Sequence, residues 1–137
     1  MTGRDDFAGE WTISRDITDR LAGQAGRFVG KAVLTPVAPQ GLDYHETGIL
    51  QLAQGPSLTA TRHYTWAFGP DSVAVSFADG RDFHQFRPGV SGAGTDHLCG
   101  ADLYRVTYEF ADWPVWTAIW QVSGPRKDYA MTSRYCR

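Results

Sequence analysis

The sequence predicts an all-β chain, an antiparallel up-and-down barrel of about nine strands. Runs with a strict period of two recur along it, and the segments between them are short and of turn type. The composition, with five Trp, six Tyr and seven Phe beside fifteen Gly and seven Pro, suits strands divided by tight turns rather than helices. At 137 residues the chain has the usual size of one domain, so residues 1–137 are expected to form a single barrel with one core and one site.

Taken in order, Glu10–Ile17, Arg27–Thr35 and Tyr44–Leu52 are the first, weaker strands. The clearest run spans Leu58 to Phe68, with Leu58, Ala60, Arg62, Tyr64, Trp66 and Phe68 on one phase and Thr59, Thr61, His63 and Thr65 on the other. That alternation marks a half-buried strand with Arg62 facing inward. Val73, Val75 and Phe77 repeat the pattern, and Arg81–Arg87 adds a weaker strand. The pattern returns in Tyr104, Val106, Tyr108 and Phe110, and again in Trp116, Ala118, Trp120 and Val122. Tyr129–Arg137 completes the set. Turn signals separate these runs at Gln54-Gly55-Pro56-Ser57, Gly69-Pro70-Asp71, Asp79-Gly80, Asp112-Trp113-Pro114 and Gly124-Pro125-Arg126-Lys127. Strands joined this tightly pair as antiparallel neighbours, and a meander of that length can close and abolish its edges. A two-sheet sandwich shares the spacing. The Gly-rich stretch Pro88 to Gly100 reads either as a cover for a barrel mouth or as a loop without a role.

Charge and composition narrow the function classes. With 13 Lys+Arg against 15 Asp+Glu, the basic residues are scattered and form no field for a phosphate backbone, so nucleic acid is not an expected partner. The polar phase carries Thr, Ser, Gln, Glu and Arg without an apolar belt, which argues against a membrane barrel. The start MTGRDDFAGEW lacks the apolar core of a signal peptide, and a cytoplasmic location is the expectation. Cys99 and Cys136 read as idle thiols. His45, His63, His84 and His97 have no metal-ligand spacing, so no metal is expected, and no elbow, phosphate loop or dinucleotide fingerprint calls for a cofactor.

The opening F-A-G-E-W, with Gly9 and Trp11, resembles the Gly-x-Trp start of lipocalins and related calycin-type barrels. That resemblance implies a Trp plugging one barrel end under an arginine of the last strand, the counterpart here being Arg134. Over nearly its whole length the chain is similar to an uncharacterised bacterial and fungal family of lipocalin-like domains of unknown function. The segments that carry the likeness are F-A-G-E-W, Y-H-E-T-G-I-L, R-H-Y-T-W, F-A-D-G-R-D-F-H, H-L-C-G-A-D-L-Y and G-P-R-K-D-Y. The resemblance implies a fold and no reaction. Its start shows no leader-like segment and its cysteines no obvious disulfide pair, so the extracellular carrier role of secreted lipocalins is not expected. It departs from haem-binding nitrobindin-like barrels in lacking their Gly-rich start.

The inward phase places Tyr44, Glu46, Arg62, Tyr64, Asp79, His84, Asp102, Tyr104 and Tyr129 inside the barrel. An inward Arg62 requires either a carboxylate, with Glu46 the candidate, or a bound anion. Trp66, Trp116 and Trp120 would supply flat walls, and Arg126 at the last turn would draw an anion to the mouth. These residues form the candidate site for a small, partly apolar, anionic ligand. Two alternatives stand beside it. One is a cofactor-independent lyase or isomerase using Tyr44 or Tyr104 with Glu46, by analogy with phenolic acid decarboxylase-like folds. The other is a filled barrel serving as an interaction module. Oligomeric state is not readable from these features.

Overall fold

The computed structural model describes residues 2–137. A short helix α1 (Arg4–Phe7) precedes eleven strands: β1 (Gly9–Asp19), β2 (Gln24–Val37), β3 (Gly41–Leu52), β4 (Leu58–Phe68), β5 (Val73–Phe77), β6 (Asp82–Phe86), β7 (Gly92–Ala93), β8 (His97–Cys99), β9 (Asp102–Glu109), β10 (Trp116–Gly124) and β11 (Lys127–Cys136). All join one antiparallel sheet in the order β6-β5-β4-β3-β2-β1-β11-β10-β9-β7, with β8 also on β9. This is the chain-order meander that the alternating runs and tight turns predict, with the first and last long strands brought side by side. Among the described residues no helix is long and apolar enough to cross a membrane.

The sheet is nearly closed, and the remaining seam lies between β6 and β9. The Gly-rich stretch fills it: Gly94 N–H donates to Val106 O at 2.8 Å, and Thr95 N–H donates to Gln85 O at 2.9 Å. The Gln85 N–H returns a bond to Thr95 Oγ1 at 2.9 Å. Residues 88–100 are therefore part of the wall, where they add the short strands β7 and β8, and do not form a cover over the mouth. Their weak side-chain pattern hid two strands that backbone pairing alone specifies.

One end of the barrel is plugged. Phe7 is fully buried and meets Trp66, Phe110, Trp113 and Trp116 edge-on at ring separations of 4.9 to 6.1 Å. Trp11 lies beside it, its Nε1 donating to Phe7 O at 2.8 Å. The arginine over Trp11 is Arg137, its guanidinium carbon 3.8 Å from the ring centre, and not Arg134. Strand period explains the correction: β11 buries Met131, Ser133 and Tyr135 while Arg134 is exposed, so Arg137 shares the inward phase. Arg137 also donates to the carbonyls of Ala8 and Asp6.

Strands β2 and β3 approach unusually closely where Gly30 faces Gly48. A Cβ on Gly48 would lie 2.7 Å from the Gly30 Cα and 2.6 Å from the Phe28 ring. The absent side chain leaves room for the Phe28 ring, which supports the arginine described next.

Candidate functional site

Within the plugged cylinder, one group of polar residues satisfies itself. Arg15, inward from β1 in phase with Trp11 and Ile13, donates from Nη1 and Nη2 to the two oxygens of Glu46 at 2.7 and 3.0 Å. Its Nε donates to Ser133 Oγ at 2.6 Å, and its guanidinium sits 4.9 Å from the centre of the Phe28 ring. Tyr44 donates to Glu46 Oε1 at 2.5 Å. Its only proton being so engaged, Tyr44 accepts from Tyr135, 2.7 Å away. Burial pushes the Glu46 carboxyl up, but the hydrogen bonds and charge of Arg15 outweigh it and hold Glu46 below its ordinary value. Burial and the neighbouring Glu46 charge push the Tyr135 hydroxyl up to about 12, and Tyr44 is likewise raised, first by burial. Glu46 is a carboxylate, and both phenols keep their protons.

A second group is not self-satisfied. Arg62 stands directly opposite Glu46 in the β3–β4 register, yet among the described residues it reaches no carboxylate. Its guanidinium lies 5.2 Å from the centre of the Trp120 ring, and Nη2 makes only a 3.8 Å contact with Met131 Sδ. His84 Nε2 is 2.7 Å from Tyr108 Oη, whereas His84 Nδ1 and Trp116 Nε1 have no hydrogen-bond partner among the described residues, although both are buried. Burial, with a lesser contribution from His97, lowers His84 to about 4, so its ring is neutral near pH 7.

These two groups face one narrow cavity of about 30 Å³, lined by Arg15, Tyr44, Glu46, Arg62, Tyr64, Trp66, Val75, Phe83, His84, Tyr108, Trp116, Ala118, Trp120 and Tyr135. Arg62 and Tyr64 also line an open depression of about 330 Å³ with His63, Phe77, Ala78 and Asp79. The depression arises because β5 pairs only with the second half of β4, from Tyr64 to Phe68, leaving Leu58–His63 without a neighbour on that side. Arg62 thus stands between the lumen and the surface.

Of the residues predicted from sequence, Tyr44, Glu46, Arg62, Tyr64, Trp66, His84, Trp116 and Trp120 line the cavity. The expected Arg62–Glu46 pair is absent because Arg15 takes both carboxylate oxygens. Asp79 does not point inward; it is exposed and bonded to Arg81 at 2.7 Å. Asp102 and Tyr104 are occupied by Lys127, whose Nζ lies 3.4 Å from Asp102 Oδ2 and donates to Tyr104 Oη at 2.9 Å. Tyr129 is half-buried outside the cavity, and Arg126 is exposed on its turn. Sequence reasoning missed Arg15, Tyr108 and Tyr135. Each shares the phase of a buried apolar neighbour, a signal present in Trp11-x-Ile13-x-Arg15 and in Met131-x-Ser133-x-Tyr135.

Several known barrels share the fold. The S-type phycobiliprotein lyase CPES from Guillardia theta is similar at a TM-score of 0.68 and 10% identity, over 98% of this chain and 89% of that one. A redesigned β-barrel, mFAP0, bound to DFHBI, is similar at 0.51 and 17% identity, over 96% of this chain and 99% of that one. A fluorescence-activating β-barrel designed de novo gives 0.51 and 13% identity, over 100% of this chain and 99% of that one. No curated protein matches the chain. A family of unknown function, DUF6314, matches residues 7–137.

Proposed function

Given a chain that belongs to DUF6314, a family of unknown function, we propose that its barrel binds a small anionic molecule, with the acid group on Arg62 and a flat apolar body among the lumen rings. The observation that carries this reading is the unpaired, half-buried Arg62, left without a carboxylate although Glu46 is its cross-strand neighbour. A cation withdrawn from water without a counter-charge is costly, and a bound anion removes that cost. Support comes also from the fold neighbours, one a lyase and one a designed barrel bound to DFHBI. The residues act together as one calycin-type domain, in keeping with the Gly9-x-Trp11 start and its covering arginine.

The cavity of about 30 Å³ holds no more than a few waters, so a ligand must part the side chains. Arg62 is the one to yield: its head is held by a ring face and a sulfur, and it borders the open depression. The ligand therefore passes beside the unpaired half of β4. The lyase or isomerase reading is disfavoured because Glu46 is held by Arg15 and by Tyr44, whose proton is committed to it. A carboxylate held low by an arginine does not donate protons near neutrality.

Benzoate is a suitable probe, followed by tryptophan fluorescence because Trp120 lies under Arg62. Saturable binding is expected, at least tenfold weaker in Arg62→Gln, with near-ultraviolet circular dichroism unchanged. Uncharged benzamide binding as tightly as benzoate to the wild-type protein would rule out the proposal.

A further inference from the structure

The hydrogen-bond inventory of the lumen is lopsided. Both Glu46 oxygens are taken by Arg15, and one also by Tyr44. The Tyr135 proton goes to Tyr44. Tyr108 has one partner among the described residues, His84 Nε2; the arrangement that gives the Tyr108 proton a protein acceptor has Tyr108 donating, and in it the neutral imidazole carries its hydrogen on Nδ1. The His84 Cδ2 edge faces Gly94 at the seam, so the Nδ1 edge lies on the other side of the ring. Trp116 Nε1 is a donor by its chemistry. Arg62 reaches no oxygen acceptor beyond its contact with the Met131 sulfur, and the buried lumen atoms without a partner among the described residues are His84 Nδ1 and Trp116 Nε1, both donors in this arrangement.

Their placement adds depth to the inventory. Arg62 stands at the open side, bordering the surface depression. Trp116 stands at the plugged end, stacked on Tyr135 at 3.8 Å and edge-on to Phe7 at 5.6 Å. Tyr108 lies between Trp116 and His84, 6.4 and 5.9 Å from their ring centres. A buried donor left unsatisfied costs about 1–3 kcal/mol, and a site built to hydrogen-bond one group discriminates strongly against an analogue lacking it.

We infer that, besides the acid at Arg62, the ligand carries a second oxygen acceptor of the carbonyl class, received by one of the two unpartnered N–H groups, that of Trp116 at the plugged end or that of His84 on the other side of Tyr108. This rests on the lumen-binding proposal and specifies the chemistry of its ligand. A ligand ammonium at that position would set donor against donor.

The test compares 4-acetylbenzoate with 4-isopropenylbenzoate, which share shape and charge and differ in one oxygen. The wild-type protein is expected to bind the acetyl compound about tenfold more tightly, corresponding to about 1.4 kcal/mol. The preference should fall below about twofold in Trp116→Phe or in His84→Phe, whichever residue receives the carbonyl. Should either variant fold poorly, the wild-type Trp116 indole N–H resonance gives a second readout. It, or the His84 ring resonance, should shift downfield with the acetyl compound and not with its isostere. Equal affinity of the two compounds for the wild-type protein, with unmoved resonances, would overturn the inference and leave Arg62-dependent binding standing. A preference that survives in both variants would overturn it as well. Absence of any Arg62-dependent benzoate binding would remove the lumen-binding proposal itself.

Discussion

Arg15 and Arg62 face the same lumen from different walls, each with a guanidinium about 5 Å from an aromatic ring centre, 4.9 Å over Phe28 and 5.2 Å over Trp120. On the wall of β1, β3 and β11, Arg15, Tyr44, Glu46, Ser133 and Tyr135 satisfy one another. On the wall of β4, β6 and β10, Arg62, His84 and Trp116 do not. Both arginines had access to one carboxylate, and register favoured Arg62. Neighbouring side chains on a sheet project side by side, however, and Arg62 carries its guanidinium to Trp120 and Met131. Side chains from strands further round a curved wall converge instead, so Arg15 meets Glu46 end to end and bidentately. Cross-strand adjacency therefore does not decide ion pairing inside a barrel; convergence does.

The sharpest way to break this comparison is to remove the shared carboxylate. Glu46→Gln leaves Arg15 as a buried charge without a partner, and a loss of about 3–5 kcal/mol is expected. Arg62→Gln should cost at most about 2 kcal/mol, because only its contact with the Trp120 face is lost and no ion pair is broken. Urea denaturation of both variants measures the difference. Equal losses would mean that Arg62 has a structural partner after all.

A somewhat smaller effect separates the walls by pH. The folded-state value of His84 is depressed from 6.5 to about 4, so the unfolded chain binds the proton first. Its contribution is complete above about pH 6.5 and is lost as pH falls toward 4, a change of about 3 kcal/mol. Glu46, also depressed, loses its contribution in a lower window, beginning near its ordinary value of 4.5. Denaturant midpoints measured from pH 7 to pH 4 should fall for the wild-type protein and stay nearly flat for His84→Phe. A wild-type profile as flat as that of the variant would show that the imidazole is not buried neutral.

The sequence was informative where period and burial coincide. Trp66, Trp116 and Trp120 lie on the lumen side, as the unbroken alternation on β4 and β10 predicts. The same rule applied to β1 and β11 would have found Arg15 and Tyr135, but the eye follows apolar residues and passes over an arginine in phase with them. Asp79 departs from its expected inward position for a different reason: it sits past the end of β5, where the turn breaks the period and its charge finds a partner in Arg81. Asp102 keeps the phase of Tyr104 but is held by Lys127, and Arg126 lies exposed on its turn. Strands β7 and β8 carry too few residues for any period, and pairing with β9 specifies them. Which arginine holds Glu46 depends on barrel curvature, which no local pattern encodes.

The plugged end offers a third, weaker contrast. Arg137→Ala removes the cation from the face of Trp11 and should cost about 0.5–2 kcal/mol. Arg134→Ala, on the outward phase of the same strand, should stay within about 0.5 kcal/mol. Thermal unfolding of the two variants distinguishes them, and equal midpoints would undo the assignment of Arg137 to the plug.

The smallest expected effect concerns the seam. Thr95→Val keeps the side-chain shape and the backbone bond from Thr95 N–H to Gln85 O, but removes the Oγ1 acceptor for Gln85 N–H. The seam is exposed at Gln85, so water replaces much of what is lost and the global cost should be only about 0.5–1 kcal/mol. Local opening is a different matter, because β6 has no continuous strand on that side and depends on these few bonds. Hydrogen exchange should therefore quicken at Gln85 while the amides of the β1–β11 pair keep their protection. If the β1–β11 amides quickened in parallel with Gln85, the seam would be no weaker than the rest of the cylinder, and the barrel would open as a whole.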